Sequence, residues 1–254
     1  MKFNLPLTVR IYECGNDGKL KISGLLNYMQ EIAALHTVDL KISIPDLLPR
    51  GLTWMLSRYH IVIDRYPRFR EPVGMSTWIA GHSGYFSIRD YCMQSENGES
   101  LARITSSWVL YGIKEKKIVL LEEALPLKDI VHERALEDNF PSLPALQEVH
   151  AEAHFQIRRH DLDINKHVNN RVIVEWALET VPPAIAATHV LTELEITFKE
   201  QAFYGDPVLS QCELRYTGEQ MTALHHILNS NGNILIARLR TQWKKTETGQ
   251  FEFS

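Results

Sequence analysis

The sequence repeats one pattern of elements, and this repeat constrains the fold more than any other feature. Residues 7–13 and 153–159 alternate like short strands, and each is followed by a polar, turn-rich loop and then an apolar helix. Four strand-like segments follow each helix: 52–64, 73–80, 85–94 and 101–111 in the first half, and 190–199, 207–216, 221–228 and 233–244 in the second. We therefore interpret the chain as a tandem duplication of one α+β module.

Individual residues can be paired between the two copies. An offset of 146 residues pairs Ser23 with Asn169, and we expect these two residues to cap the first and second helices. The same offset pairs Asp17 with Asp163. Beyond the helices the offset is 135, so the first copy is expected to carry about eleven additional residues between its helix and its sheet.

The pairing shows a polar constellation that is present only once. The paired positions are Lys19 and Asn165, Lys21 and His167, and Arg65 and Glu200. A group needed only for packing would be expected in both copies, because the two copies share one scaffold. This difference favours a functional role for the polar residues of the second copy.

The pattern of elements also predicts the domain organisation. One helix per module and strands joined by hairpins favour an antiparallel sheet wrapped around a central helix. We expect an N-terminal domain at 1–121 and a C-terminal domain at 151–254. Residues 122–150 contain three prolines and little strand character, so they are interpreted as a linker with a short helix near 129–137.

The bulk properties exclude several classes of function. The 254-residue chain carries a formal net charge of −4, which argues against general nucleic-acid binding. No apolar run approaches the ~20 residues of a membrane-spanning helix. The start of the chain resembles neither a signal peptide nor a transit peptide, so we expect a cytoplasmic protein of bacterial type.

The sequence predicts no disulfide framework, bound metal or other cofactor. Cys14, Cys92 and Cys212 are widely separated and odd in number, so we expect reduced thiols. His150 and His154 are four residues apart, but the strand-like segment around them supplies no further ligands. A metal site at these histidines is therefore disfavoured.

The loop before the second helix concentrates side chains that can move protons. Asp163, Asn165 and His167 precede a helix whose N-terminus carries partial positive charge, suited to a developing oxyanion. Imidazole titrates near neutral pH, and a carboxylate such as Glu200 can activate water or attack directly. We predict that these four residues form one site suited to hydrolysis of an activated acyl group.

Several of these residues also have a structural interpretation. Asp161 and Asp163 are typical of turns, in which the carboxylate accepts backbone hydrogen bonds. Asn169 suits a helix N-cap, and Glu200 follows an alternating strand where an exposed carboxylate is common. The contrast between the two copies favours the functional interpretation of the set.

Three stretches resemble one known family. Residues 158–170, with the pattern Asp-x-Asn-x-His-Val-Asn-Asn, resemble the active-site motif of the acyl-ACP thioesterases of plants and bacteria. Residues 196–200 resemble the second catalytic stretch of that family, and residues 51–58 resemble its N-terminal signature. The resemblance extends over nearly the whole chain.

The resemblance implies a tandem double hot-dog fold and hydrolysis of the thioester between a fatty acid and the phosphopantetheine arm of acyl carrier protein. It assigns the catalytic roles to Asp163, Asn165, His167 and Glu200. Plant members carry a cysteine after the catalytic glutamate, whereas this chain has Gln201. A carboxamide cannot act as a thiolate nucleophile, so the departure favours hydrolysis led by a carboxylate.

The resemblance also implies where the substrate binds. The acyl chain would lie mainly in the N-terminal domain, which makes Leu26, Met29 and Trp54 candidate pocket residues. Val168 and Asn169 are candidate substrate contacts beside the catalytic loop.

The expected partner is an acidic acyl carrier protein, so docking would require local positive charge. Four cations flank the loop and are candidates for this role: Arg158, Arg159, Lys166 and Arg171. The two modules are expected to form a pseudo-dimer within a monomer, or within a homodimer of such chains. An acyl-CoA thioesterase and a non-catalytic acyl-binding module remain as alternative functions.

Overall fold

The computed structural model divides the chain into two compact units, Met1–Phe140 and Pro141–Ser254. It describes residues 1–125, 129–218, 220–231 and 233–246. Residues 126–128 of the expected linker and residues 247–254 of the expected C-terminal domain lie outside the described residues.

The first unit is an antiparallel sheet with one long helix. Its elements are β1 (Phe3–Thr8), α1 (Ile22–Asp39), α2 (Ile44–Leu47), β2 (Leu52–Ile63), β3 (Pro72–Ser83), β4 (Phe86–Ser95), β5 (Ser100–Gly112), β6 (Lys117–Val119) and α3 (Leu121–Ala124). The strand order is β1-β3-β4-β5-β2, and β6 pairs with β5. The four predicted strands after the helix are confirmed as β2 to β5.

Helix α1 packs against β1 and β3 through one apolar face. Leu25, Met29, Ile32 and His36 recur every three or four residues and are all buried, as expected for a helix lying on a sheet. The prediction that Ser23 caps this helix is wrong. The N-cap is Lys21, whose side chain makes no capping hydrogen bond.

The second unit repeats the arrangement with a shorter helix. Its elements are β7 (Ala151–Gln156), α4 (Asn170–Glu179), α5 (Pro183–Ala186), β8 (His189–Phe198), β9 (Pro207–Thr217), β10 (Gln220–Asn229) and β11 (Ile234–Lys245). The strand order is β8-β11-β10-β9-β7. No described helix of either unit is long and apolar enough to cross a membrane.

Helix α4 follows the same packing rule as α1. Val172, Trp176 and Ala177 are buried, and the Trp176 ring stacks on Phe155 of β7 at a centroid distance of 5.9 Å. The helix ends before Pro182, which has no backbone N–H to continue it. Each unit is thus a sheet on a central helix, which confirms the predicted α+β, double hot-dog architecture.

The first strand of each unit ends earlier than the sequence predicts. The predicted strands 7–13 and 153–159 both give way to a 3-10 turn, at Ile11–Glu13 and Arg159–Asp161. In each turn the third residue, Glu13 or Asp161, accepts a hydrogen bond from the backbone N–H three residues earlier, at 2.8 Å. This local capping outweighs the alternating pattern of the sequence.

These turns show that the offset of 146 is wrong and that 148 is correct. Arg10 and Arg158 begin the two turns, and Lys21 and Asn169 are the two helix N-caps; the residue numbers of each pair differ by 148. The later offset of 135 is confirmed, so the first copy carries thirteen additional residues rather than eleven. The predicted offset was too small by two residues because it aligned Asp17 with Asp163, which are not equivalent.

The correction changes the equivalents of the candidate site residues. Asp163, Asn165 and His167 correspond to Gly15, Asp17 and Lys19. The pairing of Glu200 with Arg65 stands, since their backbone N–H groups donate to equivalent carbonyls, Ile236 and Leu101. The polar constellation is therefore still present only in the second unit.

The predicted helix near 129–137 is wrong. Residues 129–138 instead form an irregular segment that crosses β3 and β4. Val131 donates its backbone N–H to Ile79 of β3, and Ala135 donates to the carboxylate of Asp90 in β4. Specific contacts with the sheet, rather than helix propensity, determine the conformation of this segment.

Asp90 is the anchor of the segment. Its side chain is fully buried and also accepts hydrogen bonds from Thr105 at 2.6 Å and from Arg134 at 3.0 Å. Burial raises the pKa of Asp90, although these hydrogen bonds oppose the shift. The carboxylate is therefore a buried charge whose partners satisfy it.

We expect Asp90→Ala to lower the free energy of unfolding by about 3 kcal/mol, because the change leaves buried donors without a partner. Asp64→Ala is the matched control, since Asp64 pairs with Arg103 on the surface of the same unit. That exposed pair is worth at most about 1 kcal/mol. Denaturant titration of the two variants measures the difference, and equal losses would contradict the anchoring role.

Candidate active site

The predicted catalytic loop is a tight turn closed by backbone hydrogen bonds. Leu162 and Val168 form an antiparallel bridge, and Asp163 and His167 are joined by a backbone hydrogen bond of 2.8 Å. Lys166 adopts a positive φ of 63°, which completes the turn. The loop therefore presents its side chains from a fixed backbone.

Asp163 fixes the turn through its side chain. Its Oδ1 accepts hydrogen bonds from the backbone N–H groups of Asn165 at 2.8 Å and His167 at 3.4 Å. This is the turn-forming role that the sequence offered as the structural interpretation. The carboxylate thereby sets the positions of the two residues expected to contact substrate.

Asp161 is structural in the same sense. It is buried, it accepts a hydrogen bond from the Arg158 backbone at 2.8 Å, and it pairs with the Arg158 guanidinium at 2.9 Å. Burial raises the pKa of Asp161, but the bonds from Arg158 outweigh it and hold the pKa below its usual value. The Asp161 carbonyl also accepts the backbone N–H of Asn169, which ties the turn to the start of α4.

Asn169 caps helix α4, as predicted. Its side chain accepts a hydrogen bond from the backbone N–H of Arg171 at 2.9 Å. The preceding residue, Val168, is buried. The cap places the positive end of the α4 dipole directly after the candidate loop.

The segment after β8 meets this loop. The backbone N–H of Val168 donates to the carbonyl of Ala202 at 3.1 Å, and the His167 ring packs edge-on against Phe203 at a centroid distance of 5.3 Å. Glu200 precedes these contacts and is exposed at the end of the strand. The structure therefore brings the loop and the Glu200 segment together within the second unit.

The sequence did not single out Phe203. An exposed aromatic residue in a turn carries no distinctive pattern, and its role follows only from the ring of His167 beside it.

Three polar side chains of the site are available for a ligand. Within the described ranges, Asn165, His167 and Glu200 make no side-chain hydrogen bond or ion pair with the protein. The equivalent of Glu200 in the first unit behaves differently: Arg65 is paired with Glu71 at 2.7 Å and with Glu99 at 2.9 Å. Arg65 in the first copy is thus neutralised by two ion pairs, whereas Glu200 at the equivalent position has no ion-pair partner among the described residues.

The candidate pocket residues lie in the interior of the first unit. Leu26 and Met29 are 3% and 0% exposed, so a ligand can reach them only if neighbouring side chains move. Trp54 is half-buried and donates its indole N–H to the Ile42 carbonyl at 2.9 Å. It packs against an apolar cluster that includes Leu47.

None of the three thiols is part of the loop or of the Glu200 segment. Burial raises the pKa of Cys14 and Cys92, and raises the pKa of Cys212 to about 12. All three are therefore protonated near neutral pH and are poor nucleophiles.

The flanking cations are unequally available. Arg158 pairs with Asp161, and Arg171 pairs with Glu175 at 2.5 Å. The Arg159 guanidinium lies 5.0 Å from the ring centroid of Tyr204, and Lys166 is exposed. Arg159 and Lys166 are thus the cations of this set best placed to meet an acidic partner.

Comparisons with known proteins agree with this division into two units. The profile of the acyl-ACP thioesterase N-terminal domain matches residues 1–126, and that of the acyl-ACP thioesterase C-terminal domain matches residues 145–245. The solved 12:0-ACP thioesterase of Umbellularia californica has the same fold, with a TM-score of 0.87, 24% identity, and coverage of 96% of this chain and 94% of that one.

Two plant relatives are similar along nearly all of this chain. They are a chloroplastic acyl-[acyl-carrier-protein] hydrolase of Cuphea viscosissima, 27% identical over 97% of this chain, and a chloroplastic palmitoyl-acyl carrier protein thioesterase of Cuphea hookeriana, 26% identical over 95%. The matched regions span only 64% and 62% of the length of these relatives.

We expect Asn169→Ala to lower the free energy of unfolding by about 1 kcal/mol, because it removes a side-chain cap. Lys21→Ala is the matched control at the equivalent N-cap of α1, where the side chain makes no capping hydrogen bond. That variant should change stability by less than about 0.5 kcal/mol. Thermal unfolding of both proteins tests this difference.

Proposed function

Because the chain belongs to the acyl-ACP thioesterase family, we propose that it hydrolyses the thioester linking a fatty acyl chain to the phosphopantetheine arm of acyl carrier protein. The products are a free fatty acid and the carrier thiol, so the reaction ends elongation of that chain. The observation that carries the proposal is the contact between the His167 loop and the Glu200 segment, with their polar side chains open to a ligand.

Glu200 is the proposed reactive carboxylate. As a general base it would take a proton from water, whose oxygen attacks the thioester carbonyl carbon; as a nucleophile it would attack that carbon itself. Either route breaks the C–S bond, and the thiolate takes up a proton from His167 or from water. In the nucleophilic route the acyl group is left on Glu200 as an anhydride, which water then hydrolyses to release the fatty acid. The exposure of Glu200 supports this role, because a substrate or water can reach it.

The other site residues orient the substrate and stabilise charge. His167 is proposed to donate or accept a proton during the reaction, and Asn165 to position the carbonyl or the attacking water. Asp163 fixes the positions of Asn165 and His167 by accepting hydrogen bonds from their backbone N–H groups. The positive end of α4, beside Val168 and Asn169, favours the negative charge that develops on the carbonyl oxygen.

The acyl chain is assigned to the apolar interior of the first unit, with Leu26, Met29 and Trp54 as proposed contacts. Their burial supports an apolar environment, and entry requires local rearrangement. Arg159 and Lys166 are proposed to meet the acidic carrier protein. We also propose a cytoplasmic location and a bacterial origin, as expected from the sequence. The proposed oligomeric state is a monomer or a homodimer of chains that each contain two modules.

We expect Glu200→Gln to reduce kcat by about a hundredfold or more, because the amide can neither accept the proton nor attack. Gln201→Ala is the matched control, since Gln201 is the exposed neighbour in the same segment. Its kcat should remain within about threefold of the parent, since surface changes are usually mild. Steady-state hydrolysis of an acyl-ACP by folded variants decides the matter, and near-parental turnover by Glu200→Gln would refute the mechanism.

We expect a chain with Cys14, Cys92 and Cys212 all replaced by serine or alanine to keep its hydrolytic activity. The reason is that none of the thiols lies in the site and each has a raised pKa. The measurement is kcat for the triple variant, after circular dichroism has verified its fold. Loss of turnover in a correctly folded triple variant would instead support a mechanism in which a thiol is the nucleophile.

A further inference from the structure

The first unit forces two cations to face each other where the second unit has its site. Lys19 and Arg68 are partners in an antiparallel bridge. Two backbone hydrogen bonds flank the bridge, from Leu20 to Pro67 at 2.8 Å and from Phe69 to Gly18 at 2.9 Å. Like charges directly opposite each other across such a pair are unfavourable.

Side chains at the equivalent positions of the second unit are in contact. The positions equivalent to Lys19 and Arg68 are His167 and Phe203, whose rings are in contact at a centroid distance of 5.3 Å. The backbone hydrogen bond between Leu20 and Pro67 recurs there as well, at its equivalent position. Lys19 and Arg68 therefore project to the same side of the same scaffold.

The surrounding residues add positive charge rather than cancel it. Residues 10–21 and 65–71 contain six lysines and arginines and three carboxylates, and Glu99, which pairs with Arg65, brings the net charge to +2. The equivalent residues 158–169 and 200–206 contain three cations and four carboxylates, a net charge of −1. The first copy has thus replaced the polar site with a cationic one.

The carboxylates near the pair are already engaged. Glu71 pairs with Arg65, and it also accepts the backbone N–H of Arg68. Asp17 accepts the backbone N–H of Lys19, and its carboxylate is 3.9 Å from the Lys19 ammonium. The Arg68 side chain is exposed and makes no hydrogen bond or ion pair within the described residues, and its charge is balanced in part by the nearby Glu71 carboxylate.

The start of α1 does not relieve this charge. Its N-cap, Lys21, is a further cation, and the first turn contains no acidic residue. Cations at this end of a helix are electrostatically unfavourable. An anion between Lys19 and Arg68 would therefore relieve a repulsion that Asp17 and Glu71 balance only in part.

We propose that Lys19 and Arg68 bind a dianionic phosphate group. A dianionic phosphate matches the charge of two facing cations. Lysine and arginine side chains also both donate hydrogen bonds to phosphate oxygens. The ligand is bound and not hydrolysed, since Asp17, Lys19 and Arg65 stand at the positions of Asn165, His167 and Glu200. The phosphate belongs either to free inorganic phosphate or to a phosphopantetheine group.

Isothermal titration calorimetry of the full chain tests the site with inorganic phosphate, 4′-phosphopantetheine and phosphate-free pantetheine. Lys19→Gln and Arg68→Gln should each weaken binding of the phosphate-bearing ligands by at least about fivefold, the effect of one lost charge-assisted bond. Lys117→Gln, on the exposed strand β6 of the same unit, is the matched control and should leave binding unchanged. Binding of 4′-phosphopantetheine but not of inorganic phosphate would identify phosphopantetheine as the ligand that supplies the phosphate.

Thermal unfolding without any anion supplies a second measurement. Lys19→Gln should then raise Tm, because it removes the repulsion with Arg68, and added phosphate should raise the Tm of the parent by more than that of this variant. Absence of phosphate binding at millimolar concentration, or binding equally strong in Lys19→Gln and Arg68→Gln, would overturn the proposal. Neither measurement depends on hydrolysis. The test of phosphate binding can therefore succeed or fail independently of the test of the proposed thioesterase activity.

Discussion

The candidate site depends on backbone hydrogen bonds that join the stretch before the central helix to the segment after the strand that follows this helix, β8 in the second unit. In the second unit, Val168 donates to Ala202 and Ile157 donates to Asp206. These bonds hold distant parts of the chain together without using any catalytic side chain. The sequence at the loop and segment can therefore change while the geometry that presents them remains.

The duplication demonstrates this independence. The first unit repeats the same bonds, from Leu20 to Pro67 and from Val9 to Glu71, yet its exposed side chains are different. One copy carries an imidazole, a carboxamide and an unpaired carboxylate on this scaffold, whereas the other carries facing cations. The hydrolytic role proposed for one copy and the anion-binding role proposed for the other both rest on side-chain chemistry on a common backbone.

Much of the fold was predictable from the sequence because periodicity and capping are local signals. The four strands after each central helix, the two central helices, the Asn169 cap and the pairing of Glu200 with Arg65 rest on such signals. Strand β6 was not predicted, and β1 begins and ends earlier than predicted. The irregular segment at 129–138 was not predictable, because its conformation comes from Asp90, which lies about forty residues earlier in the chain.

The exact register between the copies also required the structure. Asp17 and Asp163 look equivalent in the sequence, but each fixes a different position of its own turn. The 3-10 turns and their carboxylates set the true register. The contact between His167 and Phe203 was hidden for a related reason: it joins segments whose proximity depends on the sheet.

The most direct test of the central claim compares kcat/KM for one acyl group carried by acyl carrier protein and by coenzyme A. An enzyme of the proposed kind should hydrolyse the carrier-protein thioester with a kcat/KM higher by about tenfold or more, because the protein surface adds binding energy that coenzyme A lacks. Absence of turnover on the carrier protein, or a preference for the coenzyme A ester, would contradict the account.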